Sequence, residues 1–400
     1  MKNIGFIFAG QGSQNKGMLR EIYENTTIGQ EILKKANEIT GMDILELSMS
    51  DESRESTEYL QPLIYVTNYI LYKIAVSKTK VYPSVMAGHS LGEYSALACS
   101  GAIGFEDGLK LVMTRGKIMK DVCRNIKSGM LAVKSNNIKE IESMAESIGT
   151  LDIACINDED QAVFAGKDDD INAFADMIPD FDCKKVRLKT EGAFHSRLFA
   201  TAAEVFRNEV GKYEYRMPSC DVISNIMGRE FRSVEEIKNE LVNQMFSTVR
   251  WSDGVKTIEE RVDLVIEIGV KTTLLNTFHN IPAYNYTAGM NILNKLSDYR
   301  ISPLREMLCF AIRECVCVRF NKGNEELKRL EEIYEELNYY LSQADEGDVG
   351  VEIDTEELAN IIHKIYSLKG IDREDKDVRL YSVAKNQLCS SNYDILIKAC

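Results

Sequence analysis

The chain has 400 residues, 44% hydrophobic and 28% charged, with a formal net charge of −14 at pH 7. That length exceeds what one hydrophobic core usually organises, so one large domain plus something smaller is expected. The acidic balance excludes nucleic acid and anionic membrane as main partners, because phosphate binding needs a basic face, and no stretch approaches the roughly 18 apolar residues of a membrane helix.

Residues 4–9 read as a buried first strand, too short for a signal sequence, so a cytoplasmic protein is expected. Helical spacing follows near 17–24, 28–40 and from Pro62 to Val76. The apolar run Val81 to Ala87 reads as a second strand, and Leu91, Tyr94 and Ala98 repeat at helical spacing after it. Between them Gly88-His89-Ser90-Leu91-Gly92 fits Gly-x-Ser-x-Gly. A strand-to-helix turn of this kind is a nucleophile elbow, which exposes the serine hydroxyl at a helix N-terminus.

A further helix spans about 106–120, and this alternation argues for a parallel sheet wrapped by helices. The rhythm then changes. Strands at 130–133, 152–156, 161–165 and 183–188, with helices at about 137–147 and 168–178, give β-α-β-β-α-β, the ferredoxin-like order. Helix resumes at 204–211, strands at 221–224 and 264–268, and a helix at 272–279. The expected fold is α/β: a hydrolase-like core of mostly parallel strands over 1–127 and 197–300, with an inserted ferredoxin-like subdomain over 128–196.

Residues 301–400 hold 13 Lys and Arg against 20 Asp and Glu, half of the net charge in a quarter of the chain. Helices are expected at 304–320, 325–341 and 355–368, interrupted by an acidic break at 344–350. This mainly helical extension reads as a separate unit, either a cap on the sheet domain or a docking element. The ten cysteines are scattered without Cys-x-x-Cys spacing and are expected as free, mostly buried thiols. Cys309, Cys315 and Cys317 form one cluster, but it lacks paired zinc spacing and would need a fourth ligand such as His363, so no metal is expected.

Ser90 needs a base, and there are four histidines. His89 adjoins the serine, and side chains next to each other at a tight turn diverge. His279 and His363 lie in helical patterns. His195, in Glu191-Gly-Ala-Phe-His-Ser196, sits in a loop where the chain returns from the insertion, and it is the favoured base.

Four segments in order carry a family resemblance: Phe8-Ala-Gly-Gln-Gly-Ser-Gln14, Gly88-His-Ser-Leu-Gly-Glu-Tyr94, Thr114-Arg115-Gly116 and Gly192-Ala-Phe-His-Ser196. Over residues 1–295 the chain resembles the malonyl-CoA:acyl carrier protein transacylases of fatty acid and polyketide synthesis. Tyr59-Leu-Gln-Pro-Leu-Ile-Tyr-Val66 and the Arg197 ending look most like the free-standing enzymes that serve polyketide synthases lacking their own.

The resemblance implies a ping-pong transfer of malonyl from malonyl-CoA, through Ser90, to the phosphopantetheine thiol of an acyl carrier protein. It implies His195 as acid-base and a backbone carbonyl at Arg250 orienting it. The N–H groups of Leu91 and Gln11 would hold the oxyanion. A glycine-rich phosphate loop is the other reading of Gly10-Gln-Gly12, but no third glycine falls at dinucleotide spacing. Arg115 would grip the malonyl carboxylate with two charge-assisted hydrogen bonds, the alternative being a surface arginine. Leu91 and Phe194 resemble malonyl-selecting versions. Gln61 and Asn157 match polar cleft positions or are satisfied buried amides, and His89 is grouped with them as substrate-binding.

The family usually has proline where this chain has Ala9, which frees φ beside the Gln11 loop. No cofactor is expected, and the chain is expected to be monomeric. Lys184, Lys185, Arg187 and Lys189 are a candidate basic face for an acidic carrier protein, or a solvated strand edge. Two other functions are open: an acyl hydrolase that edits stalled thioesters, and a docking scaffold working through the C-terminal extension.

Overall fold

The structure, a computed structural model, describes residues 3–51, 56–79, 81–179 and 183–286, and beyond these 328–329, 332–337, 361 and 364–365. Two compact units divide the chain. One comprises Lys2–Ile74 with Pro83–Asn294, and the other Met1, Ala75–Tyr82 and Lys295–Cys400.

In chain order the elements begin β1 (Ile4–Phe8), α1 (Arg20–Asn25), α2 (Thr27–Thr40), α3 (Ile44–Met49), α4 (Thr57–Thr79, whose residues from Ala75 on belong to the second unit), β2 (Val85–Gly88), α5 (Leu91–Cys99) and α6 (Phe105–Asn125). An antiparallel segment follows: β3 (Ser128–Ser135), α7 (Ile138–Ile148), β4 (Asp152–Asp158), β5 (Gln161–Lys167), α8 (Asp168–Met177) and β6 (Cys183–Arg187). The chain then continues through α9 (Ala200–Val210), β7 (Asp221–Ile223), α10 (Val234–Asn243), α11 (Trp251–Glu259), β8 (Leu264–Glu267) and β9 (Ala283–Asn285).

The larger sheet has strand order β7-β2-β1-β8-β9, and every pair in it is parallel. All five residues of β1 are buried, as befits the central strand of a sheet covered on both faces. The smaller sheet runs β4-β5-β3-β6 with antiparallel pairs, the ferredoxin-like order expected of β-α-β-β-α-β. Its core joins Leu131, Val133 and Phe164 of the strands to Ile138, Ile141 and Phe174 of the helices, with Phe164 and Phe174 meeting edge to face at 4.9 Å. Each such buried side chain contributes about 1.5–3 kcal/mol.

The two sheets are joined by more than chain crossings. Val249 bridges Cys155 on β4, donating to Ala154 O and accepting from Ile156 N at 2.9 Å each. Arg197, just past the insertion, holds Asp152 with its guanidinium and its backbone N–H.

Three expectations change. The helix expected from Pro62 starts at Thr57, whose N–H donates to the Glu191 carboxylate, a cap 134 residues away in the chain. The helix expected at 272–279 is only a 3₁₀ turn, Leu275–Thr277. There the buried Glu267 carboxylate accepts the N–H groups of Thr273 and Leu274, which ties that turn to the end of β8. The strand read from Val81 begins at Val85.

Elements α3, α10, α11 and β9 carry no expectation. For α10 a signal exists, since Ser233 caps the helix by accepting the Glu236 N–H.

In the second unit the described positions between 328 and 365 are helical, and Ile333, Leu337, Ile361 and Ile365 are buried at i, i+4 spacing. The expected helix at 304–320, most of those at 325–341 and 355–368, the break at 344–350, and Cys309, Cys315, Cys317 and His363 lie outside the described residues. No described helix is long and apolar enough to cross a membrane.

Candidate active site

The site forms at the carboxyl ends of the parallel strands, where open α/β sheets commonly place ligands. Strand β1 delivers the Gln11 loop, β2 delivers Ser90, and β7 delivers Asn225. Ser90 has φ 51° and ψ −110°, a left-handed conformation that costs a non-glycine residue about 1–3 kcal/mol. Its backbone is pinned from both sides. The Ser90 N–H donates to Asn225 Oδ1 at 2.7 Å, and its carbonyl accepts from Gln244 Nε2 at 3.0 Å. Gly92 lets the elbow close on β1, because a Cβ there would stand 2.0 Å from the Phe8 carbonyl oxygen. Behind it α5 is buried along its entire length.

Ser90 Oγ lies 2.7 Å from His195 Nε2. His195 is itself buried, at φ 58°. Its Nδ1 is 2.7 Å from the carbonyl oxygen of Gln244. A carbonyl can only accept, so Nδ1 carries the proton and the Nε2 lone pair faces the serine. Burial, reinforced by the Arg115 charge, pushes the imidazole down to about 3. The ring is therefore neutral and able to accept a proton at any ordinary pH.

The orienting carbonyl is Gln244's and not that of Arg250. Arg250 caps α11: its N–H donates to Asn225 O, its carbonyl accepts from Gly254 N, and its guanidinium pairs with Asp253. Five residues of loop, 245–249, separate it from the histidine's partner, and they run to the edge of the small sheet.

Arg115 is fully buried on α6 and is no surface arginine. One terminal nitrogen donates to Gln61 Oε1 at 2.9 Å, the other to Gln244 Oε1 at 3.0 Å and Ser90 Oγ at 3.4 Å. The guanidinium carbon sits 5.2 Å from the Tyr94 ring centre, and Nε has no hydrogen-bond partner. Burial lowers its pKa, yet its ordinary value is so high that it stays charged. Gln61 is fully buried, its amide nitrogen 3.3 Å from Met119 Sδ.

The Gln11 loop lies against the elbow. A Cβ on Gly10 would be 2.6 Å from His89 O and 3.4 Å from Leu91 N. Gln11 Nε2 donates to Thr57 Oγ1, and Asn68 Nδ2 holds the Ala9 carbonyl at 3.1 Å. The Leu91 N–H is the first of α5, where no preceding turn supplies an acceptor.

His89 and Asn157 meet each other, Nε2 to Oδ1 at 2.9 Å, with the His89 ring edge-on to Trp251 at 5.5 Å. Burial lowers the His89 pKa. Phe194 is buried against Phe199, ring centres 5.6 Å apart. His279 pairs at the surface with Asp158. Of the basic strip, Lys185 is spent on the carbonyls of Ala175 and Ile178 and Arg187 on Asp168, which leaves Lys184 and Lys189 exposed. Among the described residues no cluster of His, Cys, Asp or Glu could hold a metal ion.

Sequence reading misses Gln244, Asn225, Glu93 and Glu240. Glu93 is in the elbow motif itself. The other three come from loops and a helix with no motif, and only the fold brings them under Ser90.

A family model described as acyl transferase domain matches residues 5–284. The chain is 31% identical to the Bacillus subtilis (strain 168) protein named polyketide biosynthesis malonyl CoA-acyl carrier protein transacylase PksC, over 70% of this chain and 96% of that one. It is 35% identical to polyketide biosynthesis protein ThaF of Burkholderia thailandensis over 69% of its own length, spanning only 24% of ThaF. The solved malonyl CoA-acyl carrier protein transacylase from Coxiella burnetii superposes with a TM-score of 0.71 at 28% identity, covering 75% of this chain and 98% of that one. The matched span encloses the elbow, its histidine and the buried arginine, and this chain belongs to the acyl transferase domain family.

Proposed function

We propose that this protein transfers a malonyl group from malonyl-CoA to the phosphopantetheine thiol of an acyl carrier protein, for fatty acid or polyketide synthesis. The observation that carries this reading is the buried Arg115 guanidinium 3.4 Å from the nucleophile's oxygen. A cation buried there suits an acyl group with its own carboxylate, and it has no use in handling a neutral acyl chain.

Ser90 Oγ attacks the thioester carbonyl carbon as its proton passes to His195 Nε2. Negative charge develops on the carbonyl oxygen, and the N–H groups of Leu91 and Gln11 stabilise it. The tetrahedral adduct collapses, the carbon–sulfur bond breaks, and the CoA sulfur takes the proton from His195. The carrier thiol then gives its proton to His195, attacks malonyl-Ser90, and Ser90 leaves with that proton. Such acid-base work contributes about 10²–10⁴ in rate. The Gln244 carbonyl stabilises the imidazolium by its dipole alone. Nothing in these steps calls for a metal or redox cofactor, and the reading places the enzyme in the cytoplasm as a monomer.

The test is intact mass after mixing with malonyl-CoA or acetyl-CoA, using the parent protein and Ser90→Ala. A malonyl adduct absent in Ser90→Ala and discharged by a holo carrier protein supports the transfer. Steady release of free malonate without a carrier would replace it with the editing hydrolase, and complete inertness with the scaffold.

A further inference from the structure

Arg115 is a fully buried cation, and among the described residues no carboxylate forms an ion pair with it. A charge held this far from water needs compensation nearby. The closest source is one residue away. Arg115 donates to Gln244 Oε1 at 3.0 Å, and the other end of that amide, Nε2, donates to Glu93 Oε2 at 2.5 Å. Glu93 is fully buried at the third position of α5, and its Oε1 accepts from Asn225 N and Nδ2 at 2.8 and 3.1 Å.

Glu93 does not stand alone. Glu240, also buried, is hydrogen-bonded to it and receives Ser224 Oγ at 2.7 Å and Ile226 N at 2.8 Å. Burial and the neighbouring Glu240 push the Glu93 carboxyl up, and burial pushes Glu240 up as well. Two carboxyls buried beside each other titrate as a pair, and the N–H donors from Asn225 and Gln244 that converge on Glu93 favour a negative charge there. Among the described residues, Tyr94, whose ring lies beside the guanidinium, and His195, on the Gln244 carbonyl, also face this cluster.

We propose that Glu93, paired with Glu240, is the resident counter-charge of Arg115, acting through the Gln244 side-chain amide to fix the guanidinium in position for an acyl carboxylate. Glu93 is thus a positioning residue that does not touch substrate. Its acceptor oxygen decides which way the Gln244 amide points. With the oxygen end of that amide toward Arg115, the guanidinium is tethered. With the amide reversed, an N–H would face a cation and the Ser90 carbonyl would lose its donor.

This inference rests on the malonyl-transfer reading, and the experiment separates the two. Glu93→Gln sets an amide nitrogen against Gln244 Nε2 or surrenders an Asn225 contact. Malonyl loading of Ser90 is measured against hydrolysis of p-nitrophenyl acetate, a neutral ester that needs Ser90 and His195 but no carboxylate recognition. Kcat/KM for malonyl-CoA is expected to fall about tenfold or more, the size of one charged hydrogen bond, while the ester rate stays within about threefold. Glu93→Asp, which keeps a carboxylate but draws it back from Gln244 Nε2 and leaves the Gln244 contacts to Ser90 and His195 in place, is expected to show the same selective loss, and it decides the matter if Glu93→Gln does not fold. Equal loss on both substrates, or none on malonyl-CoA, overturns the counter-charge. Failure of the parent protein to load malonyl at all overturns the underlying reading instead.

Discussion

Gln244 and His195 are joined by one 2.7 Å hydrogen bond from the imidazole Nδ1 to a main-chain carbonyl, and the Gln244 side chain reaches Arg115, Ser90 O and Glu93. One residue therefore holds His195, Arg115 and the Ser90 backbone together. Because its contact with His195 is through the main chain, substitution of the side chain leaves the base in register. The residue after α10 is held by its own helix, whose carbonyl at Glu240 accepts the Gln244 N–H at 2.8 Å.

Arg115→Lys is expected to lower kcat/KM for malonyl-CoA by about a hundredfold, since an ammonium cannot reach Gln61 and Gln244 while presenting a planar fork. Hydrolysis of p-nitrophenyl acetate should stay within a few-fold. Steady-state kinetics on both substrates check this, and an unchanged malonyl rate would remove Arg115 from acyl recognition.

The neutral imidazole sets the pH profile. His195 is depressed to about 3, so it remains a competent base below the usual histidine range. Kcat/KM for malonyl-Ser90 formation should be level from about pH 5 to about pH 8. The same shift has the opposite face in stability: the unfolded histidine takes up a proton as pH falls below about 6.5, the folded one does not, and that contribution is lost between about 6.5 and 3. An acid limb centred near 6.5 in stopped-flow acylation would contradict the assignment.

Glu240 is raised by burial to about 7. Its contribution to stability is complete below the unfolded carboxylate range, about 4.3, and disappears as pH rises through about 7. Thermal melts of the parent protein should therefore carry a Tm component that falls from about pH 4.3 to about pH 7, and Glu240→Gln should remove that component. A slope that survives the substitution would assign it to another group.

Gly92→Ala should destabilise by roughly 3 kcal/mol, because the added methyl meets a main-chain oxygen that cannot move without displacing β1. Ser90→Ala removes only a hydroxyl and should leave Tm nearly unchanged. Denaturant melts of the two variants give the comparison, and similar midpoints would mean the elbow relaxes more easily than its geometry suggests.

The sequence by itself determined the parallel core, the ferredoxin-like insertion and the pairing of Ser90 with His195. These are local signals: apolar runs such as Ile4–Phe8, a glycine pair around Ser90, and a shortage of histidines. Helix α4 begins five residues before Pro62 because its cap, Glu191, arrives from across the fold. The 3₁₀ turn at Leu275–Thr277 stands where a longer helix is expected, just after the Thr273 and Leu274 N–H groups that the Glu267 carboxylate holds. Only the tertiary structure could select Gln244 over Arg250 as the carbonyl behind His195. A carbonyl has no side-chain signature, so sequence offers every residue in that loop equally, and hydrogen-bond distance chooses. Glu93, Asn225, Glu240 and Gln244 were likewise invisible as a group, because burying polar side chains beneath a strained elbow requires that each satisfy the next, a condition that exists only once β7, α5 and α10 have packed together.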